Sequence, residues 1–139
     1  MHRSSAIEHE RPRILLLQQT DQTAAITAHR LRLLGYDVCE CARADRIDEA
    51  IEAHQPNLLL IDSRPSPLGG IELVERLHGS QYTSEIPILA CSSDSSPDAI
   101  RAAFTAGASE YLLMPFDPVT LEHKVDSLLP DFHSVTDEV

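Results

Sequence analysis

Five short apolar runs, each followed by a stretch of helical period, constrain this chain more than any other feature. The runs are Ile14–Leu17, Tyr36–Cys41, Leu58–Ile61, Ile86–Cys91 and Ser109–Leu113. Between them apolar residues recur three, four and seven apart, as expected of helices that bury one face. Ile47, Ala50, Ile51 and His54 form one stripe, Gly70, Leu73, Val74 and Leu77 a second. Ile100, Ala103, Phe104 and Gly107 form a third, Leu121, Val125 and Leu128 a fourth, and Ile26 with Leu33 fits a first helix. Ser96-Pro97-Asp98 supplies a cap, a proline at the first helical position and an acid at the positive end of the dipole; Asp117-Pro118 repeats the device. Gly35, Gly79 and Gly107 stand where helices should stop. Five β–α units in series predict a parallel sheet with right-handed crossovers and helices on both faces.

A chain of 139 residues is one domain, large enough to bury a core without disulfides or metal. Aromatic residues make up 4% and Trp is absent, so that core must be aliphatic. The formal charge of −11 repels phosphate backbones and anionic headgroups, so neither nucleic acid nor membrane is an expected partner. Met1–Arg13 has no apolar h-region and no run approaches the length of a bilayer span, which predicts a cytoplasmic protein. Residues 1–12 read as a flexible leader, 13–129 as the folded domain and 130–139 as an acidic tail. Cys39, Cys41 and Cys91 lack metal or redox spacing and read as buried reduced thiols. The histidines are scattered singly, so no transition-metal site is expected.

Asp62 carries the functional signal. It closes the run Leu58–Ile61, which places one carboxylate at the carboxyl rim of the sheet, where α/β domains bind ligands.

This pattern resembles the receiver domain of bacterial two-component response regulators over residues 13–129, essentially the whole folded part. Pro56-Asn57-Leu58-Leu59-Leu60-Ile61-Asp62 is similar to the family's third strand with its phosphoacceptor aspartate. Pro67-Leu68-Gly69-Gly70-Ile71-Glu72-Leu73 resembles the loop entering the third helix. Ile86-Pro87-Ile88-Leu89, followed by Ser92, resembles the fourth strand with its switch hydroxyl. Ala106 to Phe116 matches the fifth-strand block, with Tyr111 at the aromatic switch position. The resemblance implies a flavodoxin-like (βα)5 fold with strand order 2-1-3-4-5 and a cis Met114–Pro115 bond. It also implies a non-enzymatic role in phosphorelay signalling, with a histidine kinase and an effector or output domain as partners. The face of the fourth helix, fifth strand and fifth helix is the implied docking and homodimer surface.

Two departures bear on chemistry. Where the family ends its first strand with two acids that hold Mg²⁺, this chain has Gln18-Gln19; where the family has a lysine before the proline after strand five, it has Met114. Phosphoryl transfer depends on positioning and on neutralising charge spread over the phosphoryl oxygens. Glutamine brings oxygen without charge, so Mg²⁺ binding is expected to be weak or absent, with no other cofactor. The lost lysine–phosphate pair would be worth about 4 kcal/mol at 4 Å and an effective dielectric near 20. The expectation is therefore an atypical (pseudo-)receiver acting through protein contacts without phosphorylation; the alternative is a conventional receiver phosphorylated at Asp62 by a histidine kinase.

Each site residue also has a plainer role. Asp62 can make an Asx-turn with Ser63. Gln18 and Gln19 can bond neighbouring loops, and a glutamine can donate to the carboxylate in place of the metal. Asp21 reads as an N-cap, and Ser92 as a hydroxyl serving loop backbone. Tyr111 is either a rotamer switch or a half-buried aromatic with its hydroxyl at the surface, while Met114 is expected to pack beside the vacated pocket. A flavin module or small α/β enzyme would need a glycine-rich loop after the first strand, and Gln18-Gln19-Thr20-Asp21 contains none.

Overall fold

A computed structural model describes residues 11–18, 21–63 and 70–129. Strands β1 (Arg13–Leu17), β2 (Asp37–Glu40), β3 (Leu58–Asp62), β4 (Ile88–Ser92) and β5 (Glu110–Leu113) alternate with helices α1 (Asp21–Leu33), α2 (Ile47–His54), α3 (Gly70–Gly79), α4 (Pro97–Ala106) and α5 (Pro118–Leu128). The sheet is wholly parallel in the order β2-β1-β3-β4-β5, the flavodoxin-like arrangement. Buried β3 and β4 are apolar on both faces because helices cover both. Alternation along the strands divides the core. Leu15, Leu17, Leu59, Ile61 and Ala90 meet α2, α3 and α4, whereas Ile14, Leu16, Leu58, Leu60 and Leu89 meet α1 and α5.

The start and stop signals act as anticipated. Ser96 accepts a hydrogen bond from the Ala99 N–H at 3.2 Å, and Asp117 accepts one from Thr120 at 3.2 Å. Gly35 and Gly107 adopt φ of +99° and +122°, the left-handed region where a side chain is strained. Gly79, by contrast, is the last residue of its helix. The strands differ from the apolar runs by one or two residues at their ends: β1 gains Arg13, β3 gains Asp62, Tyr36 and Cys41 flank β2, Ile86 and Pro87 precede a β4 that reaches Ser92, and Ser109 precedes β5.

The first helix corrects the apolar stripe. Ile26 and Leu33 are exposed, and the buried face is Ala24, Thr27, Ala28 and Leu31. Small side chains let α1 lie close to the sheet, and that ridge shows little hydrophobic contrast in sequence. The same lesson applies to α4, where Ala103 is fully buried while Phe104 is 43% exposed. Among the cysteines, Cys41 and Cys91 are buried, Cys39 is half-buried, and all three are thiols rather than disulfides. The expected leader and acidic tail lie outside the described residues, apart from Arg11 and Pro12.

Candidate functional site

Strand order reverses between β1 and β3, and in open α/β sheets the crevice beyond such a switch point is where ligands bind. Gln18 and Asp62 stand there. Asp62 ends β3 with 1% of its surface exposed, and its register partner on β4 is Cys91. Ser63 N–H donates to the Cys91 carbonyl at 2.9 Å, and α3 begins at Gly70, close against Asp62 and Ser63. A Cβ on Gly70 would collide with the Asp62 carbonyl and lie 2.7 Å from Ser63 Cα, so only glycine allows that approach.

Gln18 follows β1 and is 4% exposed. Its Nε2 donates to Cys91 Sγ at 3.4 Å, and its Oε1 has no hydrogen-bond partner among the described residues. Sulfur is a weak acceptor. An unsatisfied buried carbonyl costs about 1–3 kcal/mol, so this amide is poorly compensated. Gln19 and the side chain of Asp21, which opens α1, lie outside the described residues.

Ser92 ends β4, and its Oγ accepts from the Asp94 N–H at 3.0 Å. The Ser92 carbonyl accepts from Met114 N–H at 2.8 Å, joining the ends of β4 and β5. Met114 packs against the core on the α1/α5 side, and the Met114–Pro115 bond is cis. Tyr111 points inward at 7% exposure and donates its hydroxyl to the Asp94 carbonyl at 2.6 Å. Asp94 is thus the loop residue that both Ser92 and Tyr111 hold, a role no local sequence signal indicates. Its own carboxylate is held below the usual range because it accepts from Ser96 N–H.

Beyond this rim, α4, β5 and α5 frame an open groove of about 530 Å³ lined by Ile100, Phe104, Leu113, Thr120 and Lys124. Lys124 is the only lysine in the sequence, and it pairs with Glu110 at 3.0 Å. Burial would raise the Glu110 carboxyl, but the Tyr111 N–H and Lys124 outweigh it and hold the group low.

A parallel five-stranded sheet with a buried aspartate at the switch point, a serine ending the fourth strand and an aromatic on the fifth defines the class of phosphorelay receiver modules. The family model for the response regulator receiver domain matches residues 14–126, and the chain belongs to that family. It is similar to the CAI-1 autoinducer sensor kinase/phosphatase CqsS of Vibrio cholerae, with 28% identity over 118 residues, 84% of this chain and 17% of that one. The chain thus spans a small part of that relative's length. Among solved structures it is similar to a response-regulator candidate from Chloroflexus aurantiacus, with TM-score 0.81, 28% identity, and 86% and 98% of the two chains covered. The receiver domain of sensor histidine kinase PA1611 from Pseudomonas aeruginosa, crystallised with magnesium in its active-site cleft, shares the fold. Its TM-score is 0.77 at 22% identity, covering 86% of this chain and 98% of that one.

Proposed function

We propose that residues 13–129 form an atypical receiver, a non-enzymatic signalling module that works through protein contacts without a Mg²⁺-dependent phosphorylation cycle. The observation that carries this reading is Gln18: a neutral amide, directed at a thiol, stands beside the switch-point aspartate. Magnesium demands octahedral oxygen ligands and is usually held through carboxylates. Asp62 is a single carboxylate, and among the described residues no three His, Cys, Asp or Glu side chains converge. These residues do not fit the ion, and no step is routed through it. The ammonium that would grip a phosphoryl group is replaced by Met114, and the one lysine lies in the groove beside Glu110.

The partners in this reading are a histidine kinase and an effector or output domain, docking on the α4–β5–α5 face. A homodimer through the same face would serve the same end. Nucleic acid and membrane have no part in it, given the net charge of −11 and the absence, among the described residues, of a helix able to cross a bilayer. A cytoplasmic location accords with both.

The second reading, conventional phosphorylation at Asp62, draws on that residue's place at the end of β3. One experiment separates the two. The protein is incubated with a small phosphodonor and Mg²⁺, and its intact mass is measured beside that of Asp62→Asn. We expect no phosphoryl adduct. An adduct lost in Asp62→Asn would establish the conventional cycle. The triple variant Gln18→Asp/Gln19→Asp/Met114→Lys is expected to gain both Mg²⁺ affinity and the adduct.

A further inference from the structure

Gln18 and Cys91 touch although their strands are not neighbours. Leu17 pairs with Ile61 across β1 and β3, and Asp62 pairs with Cys91 across β3 and β4. One residue beyond Leu17, Gln18 therefore falls in the same cross-strand row as Asp62 and Cys91. Strand alternation puts all three on the α1/α5 side, with Leu16, Leu60 and Leu89 two positions earlier. Strands two apart are separated by roughly 9.6 Å, twice the ordinary spacing. The 3.4 Å contact from Gln18 Nε2 to Cys91 Sγ must then reach past the strand that carries Asp62.

We infer that Gln18 is a positioning residue, a crossbar fastened to Cys91 that shuts the Asp62 row away from solvent and small reagents. This rests on the reading of Asp62 as the inherited acceptor position. Three observations carry it: the register row, the bridging contact, and the near-complete burial of both Gln18 and Asp62. Reach is part of the device, since a side chain one methylene shorter would not span the gap. The fastening is weak, because a thiol is a poor acceptor and the other end of the amide has no partner among the described residues. A crossbar so held opens by local fluctuation without unfolding the sheet. The site is thereby gated by a neutral hydrogen bond and not by a metal ion.

The test is carboxyl labelling with a water-soluble carbodiimide and a small amine, read at each acid by peptide mass spectrometry. It needs neither phosphodonor nor Mg²⁺, so its failure is distinguishable from failure of the phosphorylation reading. Asp98, whose side chain is 94% exposed, serves as internal reference. In the wild type Asp62 should label far more slowly than Asp98. Gln18→Asn and Cys91→Ala should each raise Asp62 labelling about two- to threefold relative to Asp98, the shift expected when one weak hydrogen bond is removed from the closed state. Gln18→Met decides between fastening and filling. It keeps the length and bulk but not the donor, so it should open the row as well, at unchanged thermal stability. Protection retained in Gln18→Met, or wild-type Asp62 labelling as fast as Asp98, would overturn the inference.

Discussion

The carboxyl rim around Asp62 and the α4–β5–α5 face belong to the same sheet and are built on opposite plans. At the rim, polar side chains are buried against weak partners, Gln18 against a thiol and Ser92 against loop backbone, and the backbone of Gly70 lies close to the Asp62 carbonyl. On the face, apolar side chains are exposed, with Phe104 and Leu113 at 43% and 45%, beside the solvent-reached pair Lys124–Glu110. The rim is spatially exact and chemically poor. The face is permissive and has surface to bury against a partner. The contrast teaches that one sheet can enclose polar groups by close packing at its rim while leaving apolar groups open on its flank.

If the rim is held by steric fit, disturbing its closest approach should have the largest effect. Gly70→Ala forces a Cβ into the Asp62–Ser63 backbone, and we expect a loss of about 3 kcal/mol in urea unfolding. A loss below about 0.5 kcal/mol would mean that the rim yields as readily as the face.

Helix α5, which supplies part of the face, is fastened from behind by the Tyr36 hydroxyl donating to Asp126 at 2.7 Å. Tyr36→Phe should cost about 1.5 kcal/mol at neutral pH, as for a hydrogen bond to a charged acceptor. Burial first, then Asp126, raises the Tyr36 pKa above its ordinary value of 10.0. The folded state thus holds this proton more tightly than the unfolded chain. Its stabilisation is full below pH 10.0 and fades as pH rises from there toward the folded value. Urea midpoints from pH 8 to 11 should therefore fall more steeply in the wild type than in Tyr36→Phe.

Smaller effects belong to the face itself. Glu110→Gln removes one partner of a partly exposed ion pair, worth about 0.2–1 kcal/mol at neutral pH. Because the folded Glu110 carboxyl is held low, its contribution is present above the ordinary glutamate range and lost as pH falls through the folded value. Wild type and variant should converge in acid; a gap that persists there would point to packing rather than charge. Phe104→Ser should be nearly silent in stability, within about 0.5 kcal/mol, while weakening any complex formed through the groove. A large stability loss would make Phe104 part of the core and erase the contrast.

Most of the fold is legible in sequence because strands buried on both faces are written as apolar runs, and caps such as Ser96-Pro97 and Asp117-Pro118 as local grammar. Helix α1 is the exception in detail because, Leu31 apart, its buried ridge is Ala24, Thr27 and Ala28, residues too small and mild to outweigh Ile26 and Leu33. At the site, Asp62 is visible as an acid ending an aliphatic run. The neighbour of Gln18 is not, since Cys91 lies 73 positions away and meets it only through strand order and register. The link from Tyr111 to the Asp94 carbonyl is hidden for a like reason: the backbone of any residue can accept.

The solitary Lys124 gives the face a reporter of its own. Once the terminal amine has been blocked near neutral pH, where it reacts ahead of lysine, an amine-selective dye would tag only one side chain in each molecule, and that side chain lines the groove. Its fluorescence would register whatever settles on this surface, with no engineered cysteine and whatever the identity of the visitor.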